Sequence, residues 1–101
     1  MPPIEPTTPA QLRRAKAPPA GASGPLTALW HLARGDWEKA HALVMDDGSR
    51  AAAWVHAHLH RVEGDEANAD YWYGRAGKPA SRAPLDAEWD EIAAALLMTR
   101  R

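Results

Sequence analysis

The chain has 101 residues, of which 46% are hydrophobic and 25% charged, and its formal net charge is −1. This length allows one domain with a small core, and the composition is that of an ordinary globular protein. The chain contains no cysteine, which excludes disulfides, thiolate metal sites and cysteine nucleophiles. It has no dense basic stripe for nucleic acid and no apolar run near the ~20 residues of a membrane span. With no secretory signal visible, we expect a cytoplasmic protein that binds neither nucleic acid nor membrane.

Residues 1–24 are expected to form a proline-rich arm. Seven of the nine prolines lie in the first 25 residues, and proline removes a backbone donor that helices and sheets need. One stretch differs, since Thr8 can cap a helix, Pro9 suits its first position and Gln11 completes a capping-box pattern. We therefore predict a short helix near residues 9–16 with extended chain on both sides. A disordered tail is the alternative.

From residue 25 to residue 101 the chain is predicted to be a helical-repeat domain, because apolar residues recur at helical spacing and no alternating run indicates a strand. Most of the helices start at a capping residue and end near a glycine, whereas the last ends at Arg100 and Arg101, where cations are favoured. The acidic first turn of the last helix, which includes Glu88, is interpreted as serving the helix dipole. The predicted segments are residues 24–35, 36–48, 49–64, 65–77 and 86–101.

An internal repeat relates the segment WHLARGD, residues 30–36, to LHRVEGD, residues 59–65. Each copy reads as a helix, a Gly-Asp turn and a second helix. The predicted fold class is therefore all-α, with two antiparallel helical hairpins, a C-terminal capping helix and the N-terminal arm. The matched pairs include His31 with His60, Gly35 with Gly64, and Asp36 with Asp65.

This arrangement resembles the tetratricopeptide and Sel1-like helical-repeat superfamily over residues 25–80. In that superfamily a small residue is followed by an aromatic residue, a Gly-Asp turn and an alanine. The repeat here is shorter than the usual ~34 residues, and imidazoles stand where tyrosines are common. The matching residues are Ala28, His31, Gly35, Asp36 and Ala40 in one copy and Ala57, His60, Gly64, Asp65 and Ala69 in the other.

The resemblance implies a concave face that binds a peptide or a partner helix, with Trp54, His58 and Arg61 pointing toward it. Tyr71 is expected to be exposed and is a further candidate for contact with a partner. We therefore predict a non-enzymatic protein-interaction module without a cofactor. A homodimer, formed by exchange of the N-terminal arm, is the alternative to a different protein or peptide partner. No nucleophile elbow or phosphate-binding loop points to an enzyme.

Three histidines lie close together in the stretch WVHAHLHR, residues 54–61. At about 100° per residue, His56, His60 and Glu63 share one strip of a helix, and His58 lies on the far side. Two imidazoles and a carboxylate suit zinc or iron(II), so a metal-binding protein or metal-assisted hydrolase is the alternative function.

We expect packing rather than metal binding from these histidines. His60 recurs in the other repeat as His31, and a residue that recurs with a repeat usually serves its packing. Each imidazole is predicted to fill an aromatic position and to hydrogen-bond a neighbouring helix. His41 and His58 are expected at the surface or rim.

Overall fold

The computed structural model describes residues 5–99, and every regular element in that part of the chain is an α-helix. The all-α prediction is thereby confirmed. No helix among these residues is long and apolar enough to cross a membrane. Predictions for the first prolines, Pro2 and Pro3, and for Arg100 and Arg101 lie outside the described residues. The elements are α1 (Pro9–Arg14), α2 (Gly24–Ala33), α3 (Trp37–Val44), α4 (Arg50–Val62), α5 (Glu66–Ala76) and α6 (Leu85–Met98).

Helix α1 forms where the capping pattern predicts it, although it ends two residues early. The Thr8 hydroxyl accepts a hydrogen bond from the Gln11 amide at 3.2 Å, and Pro9 occupies the first turn. The Gln11 side chain reaches back to the amide of Thr7 at 2.8 Å, one residue earlier than a regular capping box. Local chemistry therefore builds a short helix inside a proline-rich segment.

Two predicted helix ends differ from the structure. Helix α3 ends at Val44, well before Gly48, because the following residues form a turn in which Asp47 accepts a hydrogen bond from the Ser49 amide at 2.9 Å. Helix α6 begins at Leu85 after Pro84, which provides no side-chain cap. The chain thus leaves α3 in a turn that a local hydrogen bond holds. It enters α6 at a proline, whose φ is fixed.

The two Gly-Asp turns have the same hydrogen-bond pattern. Gly35 and Gly64 have φ values of 77° and 85°, which favour glycine. The following aspartate amides, of Asp36 and Asp65, donate to the carbonyls five residues earlier at 3.0 and 2.8 Å. Each aspartate then caps the next helix. Helix α2 therefore packs against α3, and α4 against α5.

Helix α4 is the central helix of the fold. Residues 52–60 are buried without interruption, and α4 contacts α2, α3, α5 and α6. A helix buried on all sides is usually apolar, yet this one carries His56, His58 and His60. Because buried polar groups need partners, the surroundings of each imidazole decide what it costs to bury.

Helices α1 and α6 close one side of this arrangement. Leu12 of α1 is fully buried, and the Arg13 guanidinium lies 3.9 Å over the ring of Trp89 in α6. The Trp89 indole donates to the Leu29 carbonyl of α2 at 3.0 Å. The C-terminal helix therefore covers the core by indole burial and by contact with the N-terminal helix.

Candidate functional sites

Two of the residues predicted to face a partner lie instead against the chain's own C-terminal helix. His58 is only 1% exposed, and its Nδ1 lies 2.7 Å from Glu88 Oε1. Arg61 donates to the same oxygen at 2.7 Å and to the carbonyl of Ala83 at 2.7 Å. The expectation that His58 lies at the surface or rim is wrong, because Glu88 of α6 covers it.

Glu88 is the centre of a buried polar network that joins α4, α5 and α6. Its side chain accepts hydrogen bonds from His58, Arg61 and the Tyr73 hydroxyl. Burial acts to raise the pKa of Glu88, but these hydrogen bonds outweigh burial and hold the pKa below its ordinary value. Burial and the contact with Glu88 raise the pKa of Tyr73. The network therefore holds an ionised carboxylate at neutral pH.

Trp54 forms the floor of a groove between the start of α4 and the ends of α5 and α6. The groove has a volume of about 380 Å³, within the usual range for ligand pockets. Trp54 itself is 8% exposed. The two charged residues of the lining are Arg50 and Lys78, and the Lys78 ammonium lies 4.3 Å over the indole. The groove therefore combines an apolar floor with a cationic rim.

Tyr71 is 55% exposed, as expected, and lies on α5. Its hydroxyl accepts a hydrogen bond from Arg75 at 3.0 Å, and its ring meets the edge of Trp72. It belongs neither to the lining of the groove nor to the network around Glu88. The four predicted partner-binding residues thus lie in three different surroundings rather than on one surface.

A separate cluster of imidazoles consists of His41, His56 and His60, and each contributes a nitrogen within 4.8 Å of the others. The Nε2 atoms of His41 and His56 are 3.1 Å apart, and the rings of His56 and His60 stack with centroids 4.8 Å apart. His56 and His60 share one face of α4, as the helical wheel predicts, while His58 faces α6. His41, which was expected at the surface or rim, is a half-buried side chain of α3 and completes the cluster.

Two tryptophans flank the imidazole cluster. The Trp37 ring stacks on His41 with an interplanar angle of 9°, and Trp72 stacks on His56 with centroids 3.9 Å apart. The Trp37 indole also donates to the Leu59 carbonyl at 2.8 Å. These contacts place indole rings from α3 and α5 on two sides of the cluster.

Glu63 does not converge with His56 and His60, and the third group beside these two imidazoles is His41. Its carboxylate lies 2.5 Å from His60 Nδ1. Because a carboxylate oxygen accepts, this contact calls for a proton on His60 Nδ1, and in the neutral imidazole with that tautomer Nε2 has the lone pair. The hydrogen bond predicted from His60 to a neighbouring helix is instead made to the cap of its own helix.

His56 has an unusual electrostatic environment. Burial, followed by the nearby His41 and His60, lowers its pKa to about 4. Its Nδ1 is buried and finds no hydrogen-bond partner in the described part of the chain. An unsatisfied buried polar atom costs about 1–3 kcal/mol, and such atoms are few in folded proteins. His56 is therefore neutral at pH 7 and incompletely accommodated by packing.

His31 shows that this cluster is not a feature of the repeat. It aligns with His60, but it meets the edge of the Trp30 ring at a centroid distance of 5.0 Å. The three ring nitrogens come together around His60 and not around His31. Recurrence in the sequence therefore does not account for the surroundings of His60.

Sequence reasoning missed the roles of Glu88 and His41. A signal existed for Glu88, which lies four residues before the buried Ile92 and so on the buried stripe of α6. For His41 the only local signal is its spacing of four from Trp37, which places the two rings side by side on one helix. Nothing in the spacing indicates that α3 meets α4 at this point.

No family model, curated protein or solved structure matches the chain. The described residues form a compact, all-helical fold. Assignment to the tetratricopeptide and Sel1-like superfamily stays a prediction. The features that bear on function are therefore this chain's own groove, polar network and imidazole cluster.

Proposed function

We propose that the protein is a small, non-enzymatic helical-repeat module that binds a peptide segment of a partner protein in the groove over Trp54. The observation that carries this proposal is the combination of an indole floor with a rim whose charged residues, Arg50 and Lys78, are both cationic. Trp and Arg are frequent anchors of binding energy at protein interfaces.

The residues that line the groove also indicate the chemistry of the proposed partner. Small and aliphatic residues form the walls, so the groove accepts an apolar side chain. Arg50 and Lys78 are exposed and attract negative charge. The expected partner is therefore an acidic segment that carries at least one aliphatic side chain. The lining contains neither a carboxylate nor an imidazole, so it offers no general base for catalysis.

The groove also has a defined place in the proposed helical-repeat fold. The matching hydrogen bonds of the two Gly-Asp turns support the interpretation of α2–α3 and α4–α5 as two related hairpins. In such repeats the first helices form a concave face. Here His58 and Arg61 of that face bind Glu88 of α6, so the partner is expected at the open N-terminal part of α4, beside Trp54.

The proposal is tested with two dye-labelled synthetic peptides, one of alternating Glu and Leu and one of alternating Lys and Leu, in fluorescence anisotropy titrations with the full chain. We expect the acidic peptide to bind more tightly. Lys78→Glu should weaken its binding at least about tenfold, because the rim charge reverses. Lys39→Glu is the control, since Lys39 is exposed on α3, away from the groove.

Equal binding of the two peptides would contradict the proposal, as would equal effects of Lys78→Glu and Lys39→Glu. Light scattering on the same samples tests a second copy of this chain as the occupant. If the protein alone is a dimer that Lys78→Glu dissociates, the groove is a homodimer contact and not a site for a different partner.

A further inference from the structure

We propose that His41, His56 and His60 form a binding site for one divalent transition-metal ion. This site is independent of the groove over Trp54 and differs from the predicted set of His56, His60 and Glu63. Its ligands come from α3 and α4, so a bound ion would tie one helix pair to the other. The proposal rests on the positions of the nitrogens, on the donor type and on the surroundings of the rings.

The nitrogen positions are close to those that a tetrahedral ion requires. With Zn–N distances of ~2.0–2.1 Å, two ligand nitrogens of a tetrahedral site lie roughly 3.3 Å apart. The Nε2 atoms of His41 and His56 are already 3.1 Å apart in a hydrogen bond, and a bound ion would displace the proton between them. One nitrogen of each imidazole, that of His60 included, lies within 4.8 Å of the others, so the rings must still approach by up to about 1.5 Å to reach the tetrahedral spacing.

The donor type selects the class of metal. Three imidazole nitrogens suit zinc, copper, nickel or cobalt, whereas magnesium and calcium prefer oxygen ligands. Three protein ligands also leave a fourth position for water, as in sites that are not purely structural. The expected ion is therefore divalent zinc, copper, nickel or cobalt, with an exchangeable water as its fourth ligand.

Glu63 is not one of the proposed ligands, but its contact with His60 also supports a metal site. Histidines that bind metals usually donate their second ring N–H to a carboxylate or carbonyl, which fixes the tautomer and the ring orientation. His60 makes such a bond from Nδ1 to Glu63 at 2.5 Å, which leaves its Nε2 lone pair available. In this arrangement Glu63 is a positioning residue rather than a ligand.

The surroundings of His56 are those of a ligand more than of a packing residue. Its Nε2 lies 3.1 Å from that of His41, and its ring stacks on Trp72 with centroids 3.9 Å apart. An apolar side chain in this place would also pack on Trp72, but it would offer no nitrogen to the cluster. A bound ion supplies a reason for an imidazole at a position where packing alone would favour an apolar ring.

The full-length protein, stripped with a chelator and dialysed, is titrated with Co²⁺ and then with Zn²⁺ as a competitor. We expect one Co²⁺ per chain, a visible absorption band of tetrahedral intensity, and its loss on addition of one equivalent of Zn²⁺. At Zn²⁺ concentrations 100 times Kd the melting temperature should rise by roughly 10–20 °C.

Three variants locate the ion. His41→Ala should weaken binding at least about 100-fold, and its half-buried position makes it the ligand variant least disruptive to folding. Glu63→Gln should weaken binding by about 10–100-fold, as expected for the loss of an outer partner. His31→Ala is the matched control, since His31 lies outside the cluster, and should bind as the unchanged protein does.

The chelator-treated variants are also melted, so that a folding defect is recognised separately from a loss of affinity. The proposal is overturned if the unchanged protein takes up less than about one equivalent of Co²⁺, or if His31→Ala and His41→Ala weaken binding equally. It is also overturned if His41→Ala binds normally while Glu63→Gln does not, because the ion would then lie among His60, Glu63 and Asp65.

Discussion

Replacement of Glu88 by glutamine isolates the role of the buried carboxylate, because the two side chains have nearly the same shape. Glu88 is 1% exposed, and its Oε1 accepts from both His58 and Arg61. A glutamine amide has one acceptor oxygen and no charge, so in one orientation its NH2 group faces the donors of His58 and Arg61, and in both the half-buried guanidinium loses its counter-charge. Breaking a buried ion pair from one side costs about 3–5 kcal/mol. Since 1 kcal/mol shifts the melting temperature of a domain of this size by about 4–8 °C, Glu88→Gln should lower it by at least about 12 °C.

Thermal unfolding followed by circular dichroism, with urea unfolding as a second measure, tests this expectation. Asp90→Asn is the control on the same helix, because Asp90 pairs with Arg13 at 3.2 Å with its side chain 53% exposed. An exposed pair contributes at most about 1 kcal/mol.

The pKa of Glu88 is lowered in the folded state. Its contribution to the free energy of unfolding is therefore present above the ordinary carboxyl pKa and is lost as pH falls through the pKa of the folded state. The reasoning is refuted if the two variants lower the melting temperature equally at pH 7, or if the deficit of Glu88→Gln is as large at pH 3.

Two further predictions concern His56 and the glycines. The pKa of His56 falls from 6.5 to about 4 on folding, so its share of stability is complete above pH 6.5 and is lost as pH falls toward 4. Urea unfolding of chelator-treated protein should lose about 3 kcal/mol over this range, and a His56→Gln variant with the same pH slope would count against it. Gly64→Ala should destabilise by about 1–2 kcal/mol, because φ is 85° there with open space around it. Gly74→Ala, within α5 and equally open, should stabilise by about 0.5–1 kcal/mol, and the same sign for both changes would contradict the backbone argument.

The parts of the fold that follow from neighbouring residues could be predicted from the sequence. Ser49 and Asp65 cap the helices that follow them, because a short polar side chain reaches the free amide three residues on. Gly64 ends α4, since a positive φ suits glycine. These rules operate within one turn of chain, so no knowledge of distant partners was required.

The sites could be predicted only in part, because their members come from distant segments. Glu88 reaches His58 across 30 positions, and His41 reaches His56 across 15. A helical wheel gives the direction of each side chain but not the helix that arrives opposite it. The interpretation of the acidic turn near Glu88 as a dipole effect is incomplete for this reason. A carboxylate on the buried stripe of α6 needed cationic and hydroxyl partners from other helices.

The stretch H-x-H-x-H in α4 shows why the same residue type acquires different roles. His56 and His60 point toward α3 and α5, where rings of tryptophan and a third histidine surround them. His58, two residues from each, points toward α6 and meets a carboxylate. The ring nitrogens of His56 and His60 meet that of His41, as a metal site requires, whereas the contact of His58 with Glu88 joins α4 to α6. The helix that faces each histidine thus decides its chemistry. His56 and His60 belong to the proposed metal site, whereas His58 helps to hold α6 against α4.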